Sequence, residues 1–84
     1  MNTSVQERVL SVISEVLDLK QNELRPDVSL RDELQVDSLK QMTLFIALED
    51  EFQRSIPPEE ADGLETVKDV IEFIQRKLEE PAPV

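Results

Sequence analysis

The chain has 84 residues and contains neither cysteine nor histidine. Without cysteine it encodes no disulfide framework and no thiol nucleophile. Without histidine it lacks the usual proton shuttle, the commonest metal ligand and the base of a Ser-His-Asp triad. No apolar run approaches the roughly 20 residues that a membrane span requires. These absences predict a protein that is not an independent enzyme, holds no metal and is not embedded in a membrane.

Length and composition predict one small domain. We expect it to cover residues 1–84, with an ordered core of about 4–79 and a frayed tail at 80–84. Hydrophobic residues make up 39% of the chain, which is enough for one small core. The N-terminus shows no basic region followed by an apolar stretch, so no signal peptide is expected and the expected location is the cytoplasm.

The charge is strongly one-sided. Nineteen acidic residues against nine basic ones leave a formal charge of −10. Such a surface repels nucleic acid and anionic membranes and favours proteins that present basic patches. We therefore expect protein partners, no nucleic-acid partner and a monomeric chain.

Hydrophobic periodicity predicts two long amphipathic helices before residue 55. The first covers about residues 4–18, and Ser4-Val5-Gln6-Glu7 has the form of a capping box at its start. The second begins after Asp37, its expected N-cap, and runs to about Arg54. Its apolar face is expected to consist of four residues at spacings of three, three and four, namely Met42, Phe45, Leu48 and Phe52.

A long connection from Leu19 to Val36 separates these two helices. Pro26 disfavours helix there, and the connection is longer than most loops in compact domains. We nevertheless expect it to be ordered, because apolar residues along it can attach it to the core. These residues are Leu24, Val28, Leu30 and Leu34.

A short helix and a last amphipathic helix are predicted further along. Ile56-Pro57-Pro58 ends the second helix, and the acids that follow favour a short helical turn that stops at Gly63. Thr66-Val67-Lys68-Asp69 is a capping-box variant that begins the last helix. No strand pattern is present. The predicted fold is all-α, a small helical bundle of three main helices plus one short helix.

Asp37-Ser38 is the segment with the most informative chemistry. A serine directly after an N-cap aspartate lies in the first helical turn, where free backbone amides and the positive end of the helix dipole meet. This is a favourable position for a phosphate attached to the serine oxygen. Taken alone, however, Asp-Ser before a helix is ordinary capping chemistry.

The surrounding sequence adds a resemblance to a known family. From Asp37 to Phe52 the chain reads DSLKQMTLFIALEDEF, followed by IPPEEAD and by the helix start at Thr66-Val67. This closely resembles the acyl carrier proteins, in which Asp-Ser-Leu opens the second helix, a LxxALEEEF-like segment ends it, and Ile-Pro with an acidic turn follows. The resemblance extends from Val5 to Ile74, and the fold is expected to be acyl-carrier-protein-like.

The resemblance implies a covalent prosthetic group. Ser38 would carry 4′-phosphopantetheine, installed from coenzyme A by a phosphopantetheinyl transferase, and Asp37 would be part of what that transferase recognises. The arm would supply the thiol that the chain lacks and hold an acyl group as a thioester. The implied function is a non-catalytic acyl carrier for fatty-acid, polyketide or related specialised lipid biosynthesis. Its other partners would be acyl-transferring, condensing or acyl-activating enzymes.

The sequence departs from the family pattern at three positions. Gln35 stands where the family usually has glycine, which permits a tight or positive-φ turn that glutamine adopts less readily. Lys40 and Thr43 stand where family members usually place acids, on an exposed stripe beside Ser38. We expect the partner surface to include this stripe and the short acidic turn, with the residues Leu39, Lys40, Thr43, Ile46, Asp50, Glu59 and Asp62. The departures at Lys40 and Thr43 favour a carrier dedicated to a specialised pathway, with neutral drift as the alternative.

Two other functions fit the same residues. One is an aminoacyl or peptidyl carrier of the same fold, against which stand the acidic charge and the aspartate before Ser38. The other is an unmodified carrier-like subunit that serves only in protein assembly. Detecting a phosphopantetheine addition would distinguish a carrier from such a subunit.

Overall fold

The structure, a computed structural model, describes residues 4–79. Within this range the chain forms four α-helices and one 3₁₀ turn: α1 (Val5–Leu17), the 3₁₀ turn (Gln21–Glu23), α2 (Ser38–Phe52), α3 (Pro58–Ala61) and α4 (Val67–Glu79). The only β pairing in the described residues is an isolated antiparallel bridge between Ser29 and Thr66. The prediction of an all-α bundle with three main helices and one short helix is confirmed. The tail predicted to fray lies outside the described residues.

Helix α1 packs against both α2 and α4 and forms the middle of the bundle. Ser4 is its N-cap, and the Ser4 hydroxyl accepts a hydrogen bond of 3.1 Å from the Glu7 amide. Val9 and Ile13, four residues apart, are completely buried. None of the helices in the described part of the chain is both long enough and apolar enough to span a bilayer.

The apolar face of α2 differs from the predicted one at one residue. Phe45, Leu48 and Phe52 are buried as expected, but Leu44 completes this face and Met42 is 61% exposed. The prediction for Met42 was wrong because helical spacing permits both choices. Met42 is three residues before Phe45, whereas Leu44 is four residues before Leu48, and both offsets place side chains on neighbouring positions of a helix.

The long connection between α1 and α2 is ordered, as predicted. Its apolar side chains enter the core: Leu24, Val28, Leu30 and Val36 are buried, and Leu34 packs against them. Its backbone pairs with the start of α4, since the Leu30 amide donates to the Glu65 carbonyl at 2.8 Å and the Val67 amide donates to the Val28 carbonyl at 3.1 Å. The connection is therefore a structural layer that fixes where α2 begins.

A reciprocal capping box begins α4, as the sequence predicts. The Thr66 hydroxyl accepts from the Asp69 amide, and Asp69 Oδ2 accepts from the amides of Thr66 and Glu65, each at 3.1 Å. The hydrogen bond from the Glu65 amide is the main cause that holds the pKa of Asp69 below its usual 3.8. The bonds from Thr66 and the charge of Lys68 act in the same direction, while partial burial opposes them.

We predict that Asp69→Asn lowers the free energy of unfolding by about 0.5–1 kcal/mol at neutral pH. Because the pKa is lowered on folding, the stabilisation by the charge is fully present above the unfolded-state pKa and is lost as pH falls through the folded-state value. Urea titrations should show a constant difference between wild type and variant from about pH 7 to 5, and a shrinking one below about pH 4. Glu72→Gln, an equal charge change at an exposed position of α4, is the control. A difference that persists unchanged into strong acid would contradict this role of the carboxylate.

Candidate prosthetic-group attachment site

Asp37 and Ser38 occupy the first turn of α2 as predicted. Asp37 has extended backbone geometry, and its Oδ1 accepts a hydrogen bond of 2.8 Å from the Lys40 amide. Its carbonyl accepts from the Gln41 amide, also at 2.8 Å. Ser38 is therefore the first residue inside the helix, and the cap does not depend on its side chain.

The hydroxyl of Ser38 is available for reaction. The residue is exposed, and its side chain has no hydrogen-bond partner among residues 4–79. The amides of Ser38 and Leu39 are the first in α2 and have no carbonyl one turn earlier in the helix to pair with. An anionic group on the serine oxygen would lie next to these amides and to the positive end of the helix dipole.

The turn before the helix adopts the backbone geometry that the family glycine suggests. Gln35 has a φ of 55°, in the left-handed region. This conformation allows the chain to fold back so that the Val36 amide donates to the Leu30 carbonyl at 2.8 Å. Left-handed backbone costs a residue other than glycine roughly 1–2 kcal/mol. Gln35 therefore adopts the tight turn that glycine would permit, at the cost of backbone strain.

A groove of about 450 Å³ runs beside Ser38, between α2 and the segment that contains α3. One wall is a stripe of α2 with the residues Ser38, Gln41, Met42, Phe45, Ile46 and Glu49. At 1.5 Å per residue this stripe is about 16 Å long. The opposite wall includes Ile56, Pro57 and Ala61. The serine thus lies at one end of a channel whose middle is apolar.

Polar groups occur near both ends of this groove. Gln41 Nε2 donates to Asp62 Oδ1 at 3.4 Å and so links α2 to the residue that follows α3. At the other end, Glu49 Oε2 accepts a hydrogen bond of 2.6 Å from the Ile56 amide. Arg31 also lines the groove. These groups close the two ends of the groove and leave its middle to apolar side chains.

The residues predicted for partner binding are all exposed. Leu39 and Ile46 are 72% and 58% exposed, which is unusual for large apolar side chains and marks a surface stripe on α2. The others, Lys40, Thr43, Asp50, Glu59 and Asp62, are exposed as well. The structure adds Met42 to the stripe, at helical offsets of three from Leu39 and four from Ile46. These two offsets are visible in the sequence and could have identified Met42 as a member of the exposed stripe.

The fold and the exposed serine at the start of α2 are those expected of a small helical carrier domain. A family model described as "Phosphopantetheine attachment site" matches residues 7–74. The chain is also 43% identical over 74 residues to the acyl carrier proteins of Buchnera aphidicola subsp. Acyrthosiphon pisum strains Tuc7 and APS. These matches cover 88% of this chain and 92% of each relative.

The chain belongs to the acyl carrier protein family. Its members are carriers and not catalysts, and covalent 4′-phosphopantetheine is the prosthetic group of this domain. The residues of this chain fit such a group. Ser38 offers a free hydroxyl, the first amides of α2 could pair with an anion on it, and the groove beside it could receive an apolar chain.

We predict that Gln35→Gly raises the free energy of unfolding by about 0.5–1 kcal/mol. Glycine adopts a φ of 55° without strain, and the gain is partly offset by the greater freedom of glycine in the unfolded chain. Gln75→Gly is the control, since Gln75 is exposed inside α4. Glycine in the middle of a helix should lower the free energy of unfolding by about 1 kcal/mol. Urea denaturation of both variants measures the two effects. A loss of stability in Gln35→Gly would show that the glutamine side chain, and not the backbone, determines this turn.

Proposed function

We propose that Ser38 is the phosphopantetheine attachment site and that the chain carries acyl groups in a specialised lipid or polyketide pathway. The observation that carries the site is the free, exposed hydroxyl of Ser38 at the first turn of α2 and at the end of the groove. Asp37 holds this turn in place through its bond to the Lys40 amide. A phosphopantetheinyl transferase recognises this capped turn, and Asp37 is part of the recognised surface.

Attachment is a phosphoryl transfer to the Ser38 hydroxyl. The serine oxygen forms a bond to the phosphorus that bears the pantetheine of coenzyme A, and the bond from that phosphorus to the bridging oxygen of the diphosphate breaks. The serine proton passes to a base of the transferase, and adenosine 3′,5′-bisphosphate leaves. This chain supplies only the nucleophile and its position, which agrees with its lack of histidine and cysteine.

When attached, the group supplies a terminal thiol that holds an acyl chain as a thioester. The residues of this chain then protect and present that acyl chain. Met42, Phe45 and Ile46 give the α2 wall of the groove an apolar surface that can cover a hydrocarbon chain. Gln41 and Asp62 cross the groove near Ser38 through a single long hydrogen bond, which can break and re-form at small cost.

We predict that Ser38→Ala removes modification completely and leaves the fold intact. Its hydroxyl makes no hydrogen bond within residues 4–79, and Asp37 keeps the cap, so the unfolding free energy should change by less than about 0.5 kcal/mol. The measurement is intact mass after incubation with coenzyme A and a permissive transferase. Ser55→Ala is the matched control, because Ser55 is an exposed serine that lines the same groove.

The wild type and the Ser55 variant should each gain one phosphopantetheine, and the Ser38 variant none. A label on the alanine variant would refute the assignment of Ser38. A wild-type chain that no transferase loads would favour the unmodified assembly subunit.

The surface around Ser38 supports a specialised set of partners. Among residues 38–48 the only charged residue is Lys40, and the acids of this region begin at Glu49. Thr43 is exposed, and its hydroxyl donates to the Leu39 carbonyl one turn back at 3.1 Å. An enzyme that docks on this part of α2 meets apolar side chains and Lys40, with the acids Asp37 and Asp62 beside them. Charge complementarity governs encounter rate and partner choice, so we infer that the native partner does not present a strongly basic surface opposite this turn.

We predict that the double variant Lys40→Asp and Thr43→Glu reacts several-fold faster with enzymes of general fatty-acid synthesis. The two changes contribute two and one units of negative charge, three in total, without altering the core face of α2. The measurement is the malonyl-transfer or acylation rate at two ionic strengths, because screening should reduce the effect. Lys68→Asp with Gln75→Glu adds the same charge at exposed positions of α4 and should have little effect. Equal rates for wild type and the Lys40 and Thr43 variant would mean that the departures at these positions are neutral drift.

A further inference from the structure

The loop before α2 places Arg31 on the groove that contains the attachment site. Arg31 lines the same groove as Ser38 although the two residues are seven positions apart. The hydrogen bonds of the loop explain this placement. The Val36 amide donates to the Leu30 carbonyl at 2.8 Å, and the Asp32 amide donates to the Ser29 hydroxyl at 3.2 Å. Arg31 thus projects from a closed turn that ends directly before the first residues of α2.

Arg31 differs from the neighbouring arginine in the same connection. Arg25 lies within 3.9 Å of Asp27 and 3.8 Å of Glu33. Arg31, in contrast, makes no ion pair and no side-chain hydrogen bond with any residue between 4 and 79. Although the chain has nineteen acids and nine bases, the guanidinium of Arg31 is thus not engaged by any acid among the described residues.

The charges around Ser38 show what Arg31 can bind. A phosphodiester on the serine oxygen carries one negative charge. Two acids belong to the same region: Asp37 is the adjacent residue, and Asp62 lines the same groove. Both acids repel it, and the whole chain has a charge of −10. The cations near it are Lys40, two residues along α2, and Arg31. A guanidinium presents a planar pair of N–H donors that matches two phosphate oxygens, which a lysine ammonium does not.

We propose that Arg31 binds the phosphodiester of the attached group and so determines the direction in which the arm leaves Ser38. Because Arg31 lies on the groove, this contact directs the arm along the groove, where it meets the apolar side chains of α2. The inference rests on the attachment at Ser38 proposed above. Arg31 could also bind the phosphates of free coenzyme A during loading. The experiment therefore distinguishes binding of the attached phosphodiester from binding of free coenzyme A.

The test compares Arg31→Gln with Arg25→Gln, which makes the same charge change in the same connection. Each is loaded with coenzyme A, and its mass is confirmed. In wild type, loading should shift the side-chain Nε–H resonance of Arg31 and leave that of Arg25 in place. In loaded Arg31→Gln, the ³¹P resonance should be shifted from that of loaded wild type, and its relaxation should indicate a more mobile phosphodiester. Loaded Arg25→Gln should show neither change. Added salt should move the wild-type resonance toward that of this variant.

Arg31→Lys is a conservative variant that keeps the charge and loses the paired donors. We expect its ³¹P resonance to lie between those of wild type and Arg31→Gln. Melting temperatures of the unloaded variants check the fold, which an exposed side chain should hardly affect.

Each outcome decides the proposal. A ³¹P signal identical in wild type and Arg31→Gln overturns it. Slower loading of Arg31→Gln with an unchanged ³¹P signal also overturns it, and assigns Arg31 to coenzyme A in the transferase complex. If the wild type gains no mass, or gains it away from Ser38, the attachment proposal fails and this one fails with it. Correct loading at Ser38 without an Arg31 effect refutes only the role of Arg31.

Discussion

The position of Ser38 depends on how the long connection between α1 and α2 is attached to the rest of the molecule. Leu24, Val28, Leu30 and Val36 are buried in the same core as the helices. Backbone hydrogen bonds from this connection to residues at the start of α4 add a second attachment. Burial of each such side chain stabilises the fold by about 1.5–3 kcal/mol. The connection therefore holds the first turn of α2 in place. It fixes the position of Ser38, although the Ser38 side chain makes no hydrogen bond within residues 4–79.

A small domain that presents a nucleophile on its surface must keep that residue out of its own hydrogen-bond network. Here Asp37 supplies the cap of α2, so Ser38 is not needed for stability. The strained φ of Gln35 shows that the turn is closed at an energetic cost. Stability lost in this turn is offset elsewhere, by the core and by contacts such as the ion pair of 2.9 Å between Arg8 and Glu51, which joins α1 to α2.

The elements with a strong local signal could be predicted from the sequence. Capping residues and prolines set the helix ends because these signals act within one turn of the chain. The exposed serine followed from Asp37 as N-cap, and the unusual backbone at Gln35 followed from the glycine expected there.

The remaining features depend on tertiary contacts that spacing alone does not contain. Helical offsets place both Met42 and Leu44 beside core residues, and only the packing of α1 against α2 decides between them. Arg31 had no signal in the sequence, because its relation to Ser38 arises from a hydrogen bond that folds the loop back. The 3₁₀ turn at Gln21–Glu23 is likewise too short to produce a hydrophobic period.

The short helix α3 is attached to the molecule more weakly than the other helices. Its only buried residue is Ala61. Its polar links to the rest include the ion pair of 3.0 Å between Glu60 and Lys77 and the bond of 3.4 Å from Gln41 to the adjacent Asp62. Local opening of a segment costs free energy in proportion to the contacts it loses. We therefore expect α3 to open locally at a lower cost in free energy than α1, α2 or α4. Opening of α3 alone would change the volume of the groove without moving Ser38, because Ser38 is held by the connection before α2 and not by α3.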